Sequence, residues 1–285
     1  MVVLRTIDQL NIQKGLKITK IILQFLISVA IFFASFHLLS GLDLMNLFRV
    51  KTLTSETDRK LGELILETYQ IDDLVMEGDT VVNIVKEIFR ELCDENDIDA
   101  SRIRFLVVDK SEANAFTLPG RIIVVHKGLI TESNSAEEVA GVIAHELAHL
   151  ELGHIRQKLI REVGLQIILN SAGGSAGGEA IREIIYISSS RAFEREHETD
   201  ADMFAVKLLA ECRIDPAGLA EFLYRMADSS EEGPLSWIST HPGSEERSEY
   251  IMDERESYDM EFEPVYKGDW QELISSYDRD APYYL

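Results

Sequence analysis

The sequence predicts an α+β protein: a mostly helical domain with a small mixed β-sheet, preceded by one N-terminal transmembrane helix. Three observations carry this expectation. Apolar residues recur at helical spacing in several segments, most clearly over 135–154. Two apolar, β-branched runs, "IRFLVVD" (103–109) and "RIIVVHKGLI" (121–130), read as strands. Residues 21–40, "IILQFLISVAIFFASFHLLS", contain no Asp, Glu, Lys or Arg.

That uncharged run comes first in the chain. Twenty residues at helical rise cover about 30 Å, the thickness of a bilayer core. It is longer than the apolar part of a signal peptide and lacks a clear small-x-small cleavage site, so an uncleaved anchor over 21–42 is expected. Lys14, Lys17 and Lys20 precede it and Asp43 follows it. The positive-inside rule then leaves a basic cytoplasmic segment, 1–20, and puts the body outside the cytoplasm, on the periplasmic side if the cell is Gram-negative. Arg49 and Lys51 pull against that orientation.

The main domain is expected over 43–252. Its strands are separated by the turn-rich "KSEANAFTLPG", and about three strands should pack on the helix at 135–154. Further helices are expected near 55–69, 79–94, 214–228 and 244–253. The stretch "LIREVGLQIILNSAGGSAGG" (159–178) is too short and interrupted to span a bilayer and reads as helices kinked at paired glycines. The tail, taken as 253–285, is acidic but rich in aromatics; over 251–285 there are ten acids and seven aromatic residues. Packing on the domain fits that composition better than disorder.

The chemistry sits in "HELAHLELGH", residues 145–154. Ser135 and Glu138 are placed to make a capping box, and Val139, Val142, Ile143, Leu147 and Leu150 form the apolar stripe. On that helix His145 and His149 share a face and can reach one zinc ion. Glu146, one step round, can take a proton from a water that the zinc acidifies. His154 does not fit as a further ligand on the same helix: it is one residue away from the spacing that would face the metal, a rotation of roughly 100°. A contact at the helix end is expected for it instead.

A hydrolytic zinc site needs a third protein ligand. "SRAFEREHETDADMFAVKLL" (190–209) supplies candidates on a second helix. Glu198 and Asp202 lie four apart beside small alanines. Glu198 can ligate zinc, and Asp202 can accept the spare N–H of a ligand histidine.

Four stretches together resemble a known family. They are "HELAH" (145–149) with His154 after it, "ETDAD" (198–202), "NAFTLPG" (114–120) and "STHPGSEER" (239–247). They occur in the same order in the membrane-associated zinc metalloendopeptidases, a family that includes HtpX, the CAAX prenyl endopeptidases and periplasmic quality-control proteases. The resemblance covers roughly residues 60–252 and implies a gluzincin-like metallopeptidase domain. It implies one zinc per chain, held by His145, His149 and Glu198, with Glu146 as general base. It also implies an edge strand that aligns extended or unfolded protein substrates by backbone pairing. One departure keeps alternatives open. In the family, Ser-Arg-x-x-Glu leads directly into the ligand; here Ser190 and Arg191 point to Glu194, whereas the Ala-Asp pair follows Glu198. Glu198 is preferred for its distance to Asp202, with Glu194 and His197 as rivals.

His241, within the Thr-His-Pro block, has two sharper readings beside that of a plain loop residue. Its N–H can stabilise the oxyanion of a tetrahedral intermediate, or its ring can swing onto the metal's open position and hold the enzyme latent. The first is preferred. The implied activity is endopeptidase, in quality control or processing of envelope proteins. The rival is a holdase or assembly factor using the same groove, which would have no use for Glu146 as a base.

Charge narrows the partners. The chain carries a formal −22, and residues 1–40 contribute +3, which leaves −25 for the rest. Such a body repels phosphate backbones, so nucleic-acid binding is not expected. Cys93 and Cys212 lack ligand spacing and read as isolated buried thiols. No sequence feature sets an oligomeric state.

Overall fold

The computed structural model describes residues 24, 28, 55–68, 70–162, 193–228, 237, 240, 241 and 244–279. By compactness the chain divides into two units, Met1–Thr54 and Ser55–Leu285. Of the first, only Gln24 and Ser28 are described; both are helical and exposed. The rest of the expected anchor lies outside the described residues, as do the basic segment before it, the glycine pairs of 159–178 and the last residues of the tail. Among the described residues no helix is long and apolar enough to cross a membrane.

The second unit is mostly helical, with one small sheet. Helix α1 (Ser55–Thr68) and a 3-10 turn (Ile71–Leu74) lead into α2 (Thr80–Glu95). Asp79 caps α2, its carboxylate accepting from the Val81 N–H at 2.7 Å. Strands β1 (Arg104–Val108), β2 (Ala115–Leu118) and β3 (Ile122–His126) form a sheet of order β1-β3-β2. β1 is parallel to β3 and β2 is antiparallel to it, so the sheet is mixed as expected.

Two boundaries in the sheet differ from the expectation. The segment read as turn contains β2, because Pro119, Gly120 and Arg121 alone reverse the chain, with φ of 83° at Gly120 and 61° at Arg121. The run 121–130 is not strand throughout: after His126 it becomes helix α3 (Lys127–Glu132). Gly128 marks the change. Its N–H donates to the Lys110 carbonyl at 2.8 Å, and a Cβ there would stand 2.2 Å from the Ser111 carbonyl oxygen.

Helix α4 (Ala136–Leu152) is the centre of the unit. It packs on β2 and β3 on one side, and on α2, α6 (Arg195–Glu211) and α7 (Ala217–Asp228) on others. The expected cap is present in modified form. The Ser135 hydroxyl accepts from the Glu138 N–H, but the Glu138 carboxylate accepts from Asn134 N–H rather than from Ser135. Arg225 of α7 pairs with the same carboxylate. Gly141 and Gly218 let α4 and α7 come close: a Cβ on Gly141 would lie 2.8 Å from the Leu219 backbone, and one on Gly218 2.5 Å from Glu137. Gly153, with φ of 71°, ends α4, and α5 (His154–Glu162) starts at once in a new direction.

Helix α8 (Ser244–Arg255) packs against α6 and α7. The segment beyond it lies on the domain and ends in α9 (Trp270–Arg279). The Trp270 indole donates to the Ser133 carbonyl at 3.0 Å, and Val265 N–H donates to Glu137 at 2.9 Å. Both contacts fall beside the start of α4. Cys93 and Cys212 are buried free thiols, each pushed up to about 12 chiefly by burial.

Candidate metal centre

Helix α4 carries His145 and His149 on one face, with Nε2 of the two rings 2.9 Å apart. Helix α6 runs beside it, brought close by the fully buried Ala201 and Ala205. Its first turn places Glu198 with Oε1 at 3.3 Å from His149 Nε2 and Oε2 at 3.6 Å from His145 Nε2. His241, on the segment before α8, closes the group. Its Nδ1 is 3.1 Å from His145 Nε2 and 3.0 Å from Glu198 Oε1. One donor atom from each of the four residues lies within 4.8 Å of the others, and all four side chains are buried.

This donor set fits a small divalent cation. Ligands at about 2.0–2.1 Å from zinc in a tetrahedron stand about 3.3 Å from one another, and the spacings here bracket that value. Buried imidazole and carboxylate donors that converge in this way are costly unless a cation or protons sit between them.

Of the other candidates, Glu194 stands at the N-cap position of α6 at the surface, where its side chain pairs with Arg161, and it does not join the group. His197 is half-buried and stacks on His154, with ring centroids 4.4 Å apart. His154 is also outside the four donors; its Nδ1 lies 3.0 Å from His149 Nδ1.

Asp202, one turn after Glu198, has Oδ1 at 2.9 Å from His145 Nδ1, off the straight line a hydrogen bond prefers. Around it are residues to which the sequence reading gave no role. Arg247 of α8 donates to both Asp202 oxygens at 2.7 Å and lies 2.5 Å from Glu198. It also donates to the His241 carbonyl at 3.2 Å, and the Tyr250 hydroxyl donates to Asp202. Arg247 lies within "STHPGSEER", but its partners come from α6 and are set by tertiary packing.

Glu146 is held from three sides, with His241 Nε2 at 3.3 Å from its Oε1. The Thr117 hydroxyl of β2 reaches Oε2 at 3.0 Å, and the Trp237 indole N–H donates to Oε1 at 3.2 Å. Trp237 also stacks on His241, at 4.5 Å between centroids, and Phe193 stacks on His149 at 4.2 Å. No periodicity marks Trp237 or Phe193: Phe193 lies just before α6 outside any regular element, and Trp237 is helical but its neighbours in sequence carry no apolar stripe.

The electrostatics follow from this crowding. Burial alone would raise the Glu146 carboxyl, but its hydrogen bond to His241 and the charges of that ring, His149 and His145 hold it at about 2. Burial alone would lower His241, yet Glu198 and Glu146 pull it up to about 9. His149 goes down to about 4, mainly through burial, with His145 adding to the effect. Burial also takes His154 down, to about 3, with His149 next in effect. Burial works against ionised Glu198 and Asp202, but His241 and Arg247 keep the first well below the carboxylate range, and Arg247 holds the second at about 2.

Comparison with known proteins bears on the same region. Over 164 residues the chain is 29% identical to Metalloprotease LoiP of Escherichia coli strain K12, covering 55% of this chain and 65% of that protein. It is 26% identical over 220 residues to a putative beta-barrel assembly-enhancing protease of Vibrio cholerae, covering 72% and 45%. It is 30% identical over 146 residues to the mitochondrial metalloendopeptidase OMA1 of Schizosaccharomyces pombe, covering 50% and 43%. The chain thus spans between two fifths and two thirds of the length of these relatives. The profile of Peptidase family M48 matches residues 82–255, which take in every residue of the buried cluster, and the chain belongs to that family.

Proposed function

We propose that this chain is a zinc-dependent endopeptidase with a gluzincin-like site, in which His145, His149 and Glu198 hold one zinc and Glu146 is the general base. The observation that carries it is the placing of the buried Glu146 carboxylate, oriented by Thr117 and Trp237 beside the converging donors. Zinc, when bound, would acidify a water and polarise the scissile carbonyl. Glu146 takes the proton from the attacking water and delivers it to the leaving amine. Thr117 and Trp237 fix the carboxylate's orientation for both transfers. Asp202 and Arg247 orient His145 and Glu198.

The substrates in this reading are extended or unfolded protein segments. β2 is an edge strand, and Thr117 ties it to Glu146. The opposite edge, at β1, is covered by residues 74–76 through the Met76 and Asp109 amides. A peptide paired along β2 would present its backbone beside the base. Relatives named as a beta-barrel assembly-enhancing protease and as metalloproteases support a task in quality control or processing of envelope proteins. Residues 21–42 would anchor the enzyme with its body outside the cytoplasm. A reporter fused after residue 285 that works only in the cytoplasm should then stay silent.

The decisive experiment is casein digestion by purified full-length protein. Activity should be abolished by a chelator and restored by zinc. Glu146→Gln should bind zinc and fail to cleave, since an amide cannot take the proton. Cleavage by the chelated protein, or by Glu146→Gln at the wild-type rate, overturns the reading.

A second reading concerns His241. Its Nδ1 takes the fourth place in the donor group, 3.0 Å from Glu198 and 3.1 Å from His145. This favours the latch over the oxyanion role preferred from sequence, because a ring in that place excludes the substrate. His241→Ala should then raise basal cleavage without loss of zinc. A fall in turnover would restore the oxyanion role.

A further inference from the structure

We infer that His154 is a positioning residue for the metal centre: it accepts the Nδ1–H of His149 and thereby fixes the tautomer in which His149 Nε2 faces the cation. The inference rests on the proposal that His149 is a zinc ligand.

A neutral imidazole has one N–H and one ring nitrogen with a lone pair. His149 Nε2 faces the other donors, 2.9 Å from His145 Nε2 and 3.3 Å from Glu198. To bind a cation it must offer its lone pair there, which leaves the proton on Nδ1. That nitrogen lies 3.0 Å from Nδ1 of His154. Two N–H groups cannot face each other at this distance, and two lone pairs would repel. The pair is satisfied if His149 donates and His154 accepts, with the proton of His154 on its own Nε2.

The fold prepares His154 for this role. A continued helix would carry its side chain away from His149. Gly153, in the left-handed region, ends α4 and lets α5 restart so that His154 turns back onto the ligand. The ring is 3% exposed and is stacked against His197, so water has little access to compete for the N–H. The two ligand histidines on α4 are thus supported differently. His145 faces the carboxylate of Asp202, whereas His149 faces a neutral ring whose orientation depends on its own tautomer. Loss of such a partner typically costs 10–100-fold in metal affinity.

The test compares zinc affinity, by competition with a chromophoric chelator, in full-length wild type, His154→Leu, His154→Asn and His149→Ala. The Asn carbonyl oxygen can stand near the place of Nδ1 and accept; Leu fills similar space and cannot. His154→Leu should weaken zinc binding by about 10-fold or more, and His154→Asn should recover most of that loss. Melting of the zinc-free proteins separates this from a structural role, which would lower stability in proportion to the affinity lost. Ring-nitrogen NMR of the zinc-loaded wild type gives an independent reading, with Nδ1 of His149 and Nε2 of His154 protonated. The inference falls if His154→Leu binds zinc like wild type, if Asn is no better than Leu, or if the protons sit on the opposite nitrogens. Wild type that takes up no zinc, or His149→Ala that binds it equally well, overturns the zinc proposal and this inference with it.

Discussion

At the scale of single residues, the choice between Glu198 and Glu194 shows what spacing can decide. Both lie four residues or fewer from plausible partners in the sequence, and the helix period alone favours neither. Position in the helix separates them. Glu194 stands at the N-cap, exposed and paired with Arg161, while Glu198 faces α4 one turn later and is 1% exposed. Glu198→Ala should therefore lower zinc affinity sharply, and Glu194→Ala should leave it within about threefold, the range of an exposed ion pair. Titration of both variants checks this, and the reverse pattern would move the ligand to Glu194. The histidine pair and Glu146 were legible because one helix carries all three at fixed angles. Thr117 comes from a strand, Phe193 from a connection, and Trp237 and Arg247 from helical residues far along the chain. Their meeting depends on tertiary packing, which no local pattern encodes.

At the scale of elements, α4 was legible at its start and along its stripe, which lie within the helix's own sequence, but its end was not: the helix was expected to run through Gly153 to 154, and it stops at Leu152. The sheet was less legible. β2 is only four residues long and looks like turn, because its strand character comes from pairing with β3 rather than from its composition. The crossing of α4 and α7 was not legible at all: Gly141 looks like a weak point in a helix until Leu219 is seen against it. This gives a sign opposite to helix propensity. In an exposed helix Gly→Ala stabilises by up to about 1 kcal/mol. Here the new methyl would meet backbone at 2.8 Å, and overpacking costs about 1–3 kcal/mol. Gly141→Ala should lower the denaturant midpoint without changing the slope of unfolding. A raised midpoint would mean that α7 can move aside freely.

At the scale of the whole molecule, the governing quantity is charge. A total of −22 in 285 residues places many carboxylates near one another on the surface, and their repulsion opposes the compact state. Salt acts on two opposing terms. It screens that repulsion, which stabilises, and it screens exposed ion pairs such as Arg59–Glu63 and Arg104–Asp72, which destabilises. Exposed pairs contribute little, about 0–1 kcal/mol each. The buried contacts of Arg247 with Glu198 and Asp202 lie out of reach of mobile ions. The repulsive term should therefore win. With metal content held fixed, raising sodium chloride from about 0.02 M to 0.5 M, where the Debye length falls well below 10 Å, should raise the melting temperature. A melting temperature that falls across that range would show that surface pairing, rather than self-repulsion, governs the stability of this acidic domain.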